Sequence, residues 1–404
     1  MADNRLAFAA APTLSSSQIP TLLDNANIDG VLVPARWWLI ETADDVYDWT
    51  DLDTALDAAK TRGKSCNIYL NARSGANSTV AQWLKDLGAQ TYEAVNFLGE
   101  THEYMLPWDT VFITKIIEFL AVLSTHLTDG GYNATVPRLD IGVPTLETNI
   151  PGCKNGVIAG TYTYDRALYL QAWKDVIDAF EAQFPTVIKH ICAPTGNICP
   201  GGADSTFYRE MVSYADTTFY PFATDLTTTG SVRMTPYTNL IPGRGLAYQP
   251  IFPVTGDSAN RVGGTYPTNL LEMVCRGISD GAGYIEIYSA DVLNTDPAIQ
   301  NAIAAIRNSA LCPVLPLRAG GFGRVQARGA RQARVEQPAR AASAVYAQVV
   351  APSVEISGYG SAQAPQAAVA AESVFMVEAS RVRVSGVGRG YCEEDDVRML
   401  MEVA

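Results

Sequence analysis

Histidine and closely paired cysteines are scarce in this sequence, and their scarcity weighs against most metal chemistry. The 404 residues contain only three histidines, His102, His126 and His190. A Ser-His-Asp triad or a histidine-based metal centre is therefore a weak hypothesis, and each histidine is expected to be structural. No CxxC motif is present, which argues against a structural zinc site. We expect no bound metal.

The seven cysteines are scattered and odd in number, which is not the pattern of a disulfide framework. Because cysteine often behaves as a small hydrophobe, free buried thiols are the expected state. The alternative is a pair formed by Cys192 and Cys199, which flank the turn-like segment APTGNI.

Charged residues and long apolar runs are also sparse. Charged residues make up 18% of the chain, and the formal net charge is -13. Nucleic-acid binding needs clustered lysine and arginine, so no nucleic-acid partner is expected. No apolar run approaches the roughly 18 residues of a membrane helix, and the start of the chain does not resemble a cleaved signal peptide. We expect no membrane insertion.

The nucleotide-binding motifs are missing too. No GxGxxG follows the first predicted strand, and no Walker-type GxxxxGK[ST] occurs. No cofactor is therefore expected.

The charge is unevenly spread along the chain. Residues 1–310 contain 19 basic and 33 acidic residues, whereas residues 311–404 contain 10 basic residues, all arginine, and 9 acidic ones. All seven lysines precede residue 190. This shift coincides with a sudden richness in alanine and predicts two parts built on different plans.

The first part alternates short apolar segments with amphipathic ones. Eight strands are predicted, at 30–38, 66–72, 91–97, 138–144, 187–194, 223–230, 246–254 and 284–290. Helices are predicted between them, so the fold class is α/β, with a (β/α)8 TIM barrel over 28–310. Residues 1–27 are expected to pack on the barrel as an N-terminal segment. A doubly wound open sheet is the alternative.

Residues 311–404 are predicted to form a small all-β, repeat-like extension. Gly-x-Gly recurs at 321–323, 358–360 and 386–388, after segments such as SVEISG and SRVRVSG that alternate with a period of two. The spacings of 37 and 28 residues make this a degenerate repeat. Because large apolar residues are few, stability is expected to come from stacking on copies or on a partner. A flexible linker is the alternative.

The working face of a TIM barrel is the carboxyl end of its strands, so the residues there are the candidate site. Aromatic, amide and basic side chains at those positions suit sugar rings and their hydroxyls. The candidate carbohydrate-binding residues are Arg36, Trp37, Trp38, Asn71, Arg73, Trp108, Asn149, Tyr248, Gln249 and Tyr288.

Two carboxylates are candidates for catalysis. Glycoside hydrolysis uses one carboxyl group to protonate the leaving oxygen and another to attack or to activate water. Glu147 follows the strand at 138–144, and Glu286 lies within the last strand. Their separation decides between the retaining and inverting mechanisms, and it is not fixed by sequence.

At these positions the sequence resembles the clan A glycoside-hydrolase barrels. The resemblance is carried by ARWWLIETADDVYDWTDLDTALDAAKTRGKSCNIYLNA, LPWD, DIGVPTLETNIP and YIEIYSADV, and it covers about residues 28–308. It implies a sugar-binding barrel with Glu147 in the region of the acid/base. Two departures argue against activity: Leu146 precedes Glu147 where the family has asparagine, and Gln249 stands where the family has its nucleophilic glutamate.

Three functions follow as hypotheses. The first is a bacteriophage tail protein whose barrel binds host-surface carbohydrate as a receptor-binding module, since the extension is similar to the β repeats of tail and fibre proteins. The second is a structural virion barrel, and the third is an active glycoside hydrolase using Glu147 and Glu286. The expected partners are a glycan, other virion proteins contacted through 311–404, and further copies of the chain. The expected location is the virion, or alternatively the extracellular space.

Overall fold

The computed structural model describes two parts of the chain in different detail. Residues 6–312 are described except for 12, 14, 72–80, 96–100, 146–147, 149, 155, 160, 195–204, 216 and 232–244. Beyond residue 312, the structure describes the backbone of five strands. The chain divides into two compact units. The first comprises Met1–Gly277 and Gly281–Cys312, and the second comprises Ile278–Asp280 and Pro313–Ala404.

The first half of the barrel unit contains short strands and helices in alternation. In chain order these are β1 (Leu6–Ala10), α1 (Ile19–Asp24), β2 (Gly30–Arg36), α2 (Trp37–Ile40), β3 (Glu41–Ala43), β4 (Val46–Tyr47), α3 (Thr50–Thr61), β5 (Ser65–Asn71), α4 (Gln82–Asp86), β6 (Thr91–Val95), β7 (Thr101–Met105), α5 (Thr110–Asp129) and β8 (Arg138–Gly142).

The second half continues the alternation after a small three-stranded sheet. It contains β9 (Cys153–Lys154), β10 (Val157–Ile158), β11 (Tyr162–Thr163), α6 (Arg166–Gln183), β12 (Ile188–Cys192), α7 (Ser205–Tyr214), β13 (Phe219–Leu226), β14 (Leu246–Pro250), α8 (Asn269–Ser279), β15 (Ala282–Tyr288), α9 (Ser289–Val292) and α10 (Pro297–Arg307).

Eight parallel strands close into a barrel in the order β1-β15-β14-β13-β12-β8-β5-β2. Their residues are buried on both faces, as expected when side chains fill the barrel interior on one side and helices cover the other. The predicted TIM barrel is therefore confirmed.

Two of the strand predictions need correction. The segment at 91–97 was expected to be a barrel strand, but β6 pairs antiparallel with β7 in a separate hairpin. The barrel's first strand is instead β1, within the segment 1–27 that was expected to pack outside the barrel. The burial of β6 alternates along the strand, as in a hairpin exposed on one side, whereas the central residues of β1 are all buried. The small residues of LAFAA hid this strand in the sequence.

Aspartates begin three of the barrel helices. The Asp109 carboxylate accepts from the Phe112 amide at the start of α5, Asp165 accepts from the Ala167 and Leu168 amides at α6, and Asp296 accepts from the Ala298 amide at α10. Such caps satisfy amides that lack a partner in the first turn of a helix.

Helix α5 has a length and composition that would also suit a membrane span, and it alone does so among the helices described. It is one of the helices that surround the barrel. Phe112, Ile116, Phe119 and Leu120 are buried, and the helix packs against α6. The expectation that no membrane is entered stays a prediction.

The cysteine predictions are corrected in two respects. A disulfide joins Cys275 in α8 to Cys312, 37 residues later, and Cys153 is also disulfide-bonded. Cys66 and Cys192 are buried thiols, as expected, while Cys199 lies outside the described residues. The partners Cys275 and Cys312 are far apart in sequence and meet only because the fold brings them to a Cα–Cα distance of 5.5 Å.

The extension contains β16 (Arg324–Arg328), β17 (Gln348–Ala351), β18 (Ser353–Ser357), β19 (Met376–Ala379) and β20 (Val382–Ser385). One sheet has the order β16-β18-β20, and the other pairs β17 with β19. The predicted strands SVEIS and VRVS are β18 and β20. The Gly-x-Gly segments lie outside the described residues.

Candidate functional site

Three ionisable side chains meet in the barrel interior. Asp140, His190 and Glu286 lie on β8, β12 and β15, each two residues before the end of its strand. All three are buried, and Glu286 is 0% exposed. Because the carboxyl ends of parallel strands lie together, this places the cluster just beneath the face where TIM barrels carry their sites.

Hydrogen bonds fix the protonation of His190. The Arg138 guanidinium only donates, and its Nη1 lies 3.1 Å from Nε2 of His190, so Nε2 accepts. The other nitrogen, Nδ1, therefore carries the hydrogen and donates to Oδ1 of Asp140 over 2.7 Å. Burial lowers the pKa of His190, which keeps the imidazole neutral.

Both oxygens of the Glu286 carboxyl are engaged. The Tyr284 hydroxyl donates to Oε1 over 2.9 Å, and Nε2 of Gln249 donates to Oε2 over 3.0 Å. Asn67 in turn donates to the Tyr284 hydroxyl over 2.9 Å. The carboxyl group is thus held from two sides inside the barrel.

The surroundings of Glu286 disfavour its ionised form. Burial, and then the charge and hydrogen bond of Asp140, raise the pKa of Glu286 well above the ordinary value of a glutamate. The Arg138 guanidinium is attracted by the carboxyl group of Asp140, and such pairing reduces the desolvation penalty of buried ionic groups.

The same three residues were not predicted to bind metal. Their ligand atoms lie within 4.8 Å of one another, which is close enough to surround a cation. However, both imidazole nitrogens of His190 are already hydrogen-bonded, to Arg138 and to Asp140. A cation would have to displace the hydrogen that Nδ1 donates to Asp140 and would lie near the Arg138 guanidinium, so the arrangement does not favour a metal ion.

The second predicted catalytic residue is not described. Glu147, like Arg73 and Asn149, lies outside the described residues. The structure therefore gives no distance between Glu147 and Glu286, and the predicted catalytic pair stays a prediction. Among the described residues, Asp140 supplies the carboxyl group that lies close to Glu286.

Several predicted sugar-binding residues lie partly exposed at the strand ends. Arg36 ends β2 in register with Asn71, which ends β5. On the other side, Gln249 lies one residue before the end of β14, and Tyr288 ends β15. Trp38 follows β2 directly in the first turn of α2. We call these five partly exposed side chains the mouth residues.

Three other predicted aromatic residues lie differently. Trp37 is 2% exposed, and its ring packs against Trp83, Phe112 and Phe119 with centroids 5.6–6.1 Å apart. Its faces are covered by the core. Tyr248 is also fully buried. Trp108 is partly exposed, with its ring centroid 6.2 Å from that of Tyr164.

Sequence reasoning identified Gln249 but missed the other polar residues that lie around Glu286. Asp140 and Arg138 alternate with apolar residues in RLDIG, and Lys189 and His190 interrupt IKHIC. In a strand buried on both faces, a polar residue points into the barrel or pairs beneath a helix. Polar residues within these otherwise apolar strands were the sequence feature that could have indicated the buried cluster.

No family model and no curated protein matches the chain. Solved structures do match its fold. The catalytic domain of a β-amylase from Paenibacillus polymyxa has a TM-score of 0.58 at 12% identity, and the match covers 78% of this chain and 100% of that one. A catalytic mutant of a GH42 β-galactosidase from G. stearothermophilus has a TM-score of 0.51 at 13% identity, covering 76% of this chain and 57% of that one. The resemblance to glycoside-hydrolase barrels therefore holds for the fold.

Proposed function

We propose that the barrel is a carbohydrate-binding module without turnover and that it serves as the receptor-binding part of a bacteriophage tail protein. The observation that carries this proposal is the burial of Glu286. A glycosidase nucleophile has to reach the sugar ring, whereas Glu286 is fully buried and is hydrogen-bonded through both oxygens.

The mouth residues supply suitable chemistry for a sugar. Trp38 and Tyr288 offer aromatic surface, while Arg36, Asn71 and Gln249 offer donors and acceptors for hydroxyl groups. The two solved structures of similar fold are described as a β-amylase and a β-galactosidase, which act on carbohydrates by name. The acidic balance of residues 1–310 favours a neutral glycan over an anionic one.

Two observations support display outside a reducing cytosol. The Cys275–Cys312 disulfide is a type of bond that persists in oxidising surroundings. The strand-rich extension, with its repeated sequence, supports attachment to other virion proteins. The proposed location is therefore the virion.

The proposal is tested by binding of the full chain to arrays of neutral glycans and to candidate host cells. We expect Trp38→Ala to weaken binding by about tenfold, because aromatic contacts contribute about 1 kcal/mol each beyond their area. Tyr214→Ala is the control, since Tyr214 is an exposed aromatic residue at the end of α7, on the opposite face of the barrel. Absence of binding to any glycan or host surface would contradict the proposal, as would equal losses for the two variants.

A further inference from the structure

The two parallel strand pairs of the extension share one sequence offset. Gln348 in β17 is in register with Met376 in β19, and Val354 in β18 is in register with Val382 in β20. The offset is 28 residues in both sheets. A chain that returns to the same two sheets after a fixed number of residues forms the coils of a β-solenoid.

The sequence repeats with the same offset. Residues 348–360 read QVVAPSVEISGYG, and residues 376–388 read MVEASRVRVSGVG. Valine, alanine, serine and glycine recur at six of the thirteen aligned positions: Val349 with Val377, Ala351 with Ala379, Val354 with Val382, Ser357 with Ser385, Gly358 with Gly386 and Gly360 with Gly388. Each coil therefore stacks on a near copy of itself.

The two sides of this stack differ among the strands that the structure describes. On one side, β16 pairs antiparallel with β18 and departs from the 28-residue repeat, as terminal strands of solenoids do. On the other side, β19 and β20 each have a neighbour on one edge only. Among the described strands, no partner lies along their outer backbone groups, and natural proteins cover or pair such an edge.

We infer that the edge formed by β19 and β20 pairs with the same edge of a second copy of this chain. The inference rests on the proposed role of residues 311–404 in assembly. Two coils are fewer than the three or more that repeat proteins need for stability, and joining two copies gives four. Pairing of identical edges is two-fold and closes on itself, and β16 on the far side of β18 lies outside the 28-residue repeat, so that side presents no copy of the same edge.

The test is hydrogen exchange of the full-length chain at low and high protein concentration, with mass measured by light scattering. We expect a mass about twice that of the 43.4 kDa monomer at high concentration. Amides of 376–385 should become protected as the dimer forms, whereas 348–357 should be equally protected at both concentrations. A chain that stays monomeric overturns the inference. So does a dimer in which 376–385 shows no change, since another protein or another surface would then be the partner.

Two proline variants test the edge directly. Successive amides in a strand point to opposite edges, so one of Arg383→Pro and Val384→Pro removes an outward N–H and the other an inward one. We expect one of the two to weaken dimerisation about tenfold, since each copy loses one hydrogen bond. The monomeric variant should bind glycan at a single site as before and lose only avidity. Unchanged dimerisation in both variants would contradict the inference, while the glycan proposal would stand.

Discussion

The centre of the barrel and its mouth are built from the same strands but use polar side chains in opposite ways. In the centre, the polar groups of Asp140, His190 and Glu286 bond one another and are buried. At the mouth, one or two residues further along, Gln249 and Tyr288 are partly exposed. The comparison teaches that a carboxyl group on a barrel strand can be assigned a catalytic role only when its exposure and its protonation state are known.

Replacing the buried guanidinium should have the largest effect. We expect Arg138→Met to lower the free energy of unfolding by about 3–5 kcal/mol, because it removes a buried guanidinium that donates to His190 and is attracted by Asp140. Urea denaturation measures the loss.

The matched control is Arg62→Met, since Arg62 pairs with Asp24 at the surface over 2.7 Å. This change should cost less than about 1 kcal/mol. If both variants lost equally little, the buried cluster would not be a linked charge network.

The neighbouring tryptophans should separate stability from binding. We expect Trp37→Ala to cost about 3 kcal/mol, because a buried ring among Trp83, Phe112 and Phe119 leaves a cavity. Trp38→Ala should keep most of the stability. Thermal unfolding of the two variants measures the difference in stability. A larger loss for Trp38→Ala than for Trp37→Ala would contradict the burial of the Trp37 ring in the core.

The pH dependence of stability should report on Glu286. Because its pKa is raised, the folded chain keeps a proton that the unfolded chain loses, so the free energy of unfolding falls as pH rises above about 4.5. His190 acts in the opposite direction below about 6.5, because its pKa is lowered. Above that pH only the decline from Glu286 and other buried carboxyl groups should remain.

We expect Glu286→Gln to make this decline shallower, by up to about 1.4 kcal/mol per pH unit, because an amide has no proton to lose in this range. The control is Glu210→Gln, an exposed partner of Arg166, which should keep the wild-type slope. Parallel curves for all three proteins would show that Glu286 does not hold the proton.

The sequence predicted the fold of the barrel more accurately than it predicted the residues of the site. Alternating apolar and amphipathic segments predicted seven of the eight barrel strands, because burial on both faces leaves a continuous apolar run. The strand β1 was missed because LAFAA has no β-branched residues, and 91–97 was misplaced because its pairing depends on β7. The Cys275–Cys312 pair depends on the fold in the same way.

The site could be predicted only to the level of strand ends. Position along a strand placed Gln249 and Tyr288 near the mouth, but it did not distinguish Trp37, which packs inward, from Trp38. The partners of Glu286 come from three other strands, and no local pattern connects them. Exposure and protonation are properties of that assembled cluster.

The most direct test of the account is the fate of a glycan that the full chain binds. The bound glycan is incubated with the wild type and with Glu286→Gln, and new reducing ends are measured over time. We predict that both proteins bind the glycan equally and that both leave it intact. Release of reducing ends by the wild type and not by Glu286→Gln would show that Glu286 is catalytic and would contradict the account.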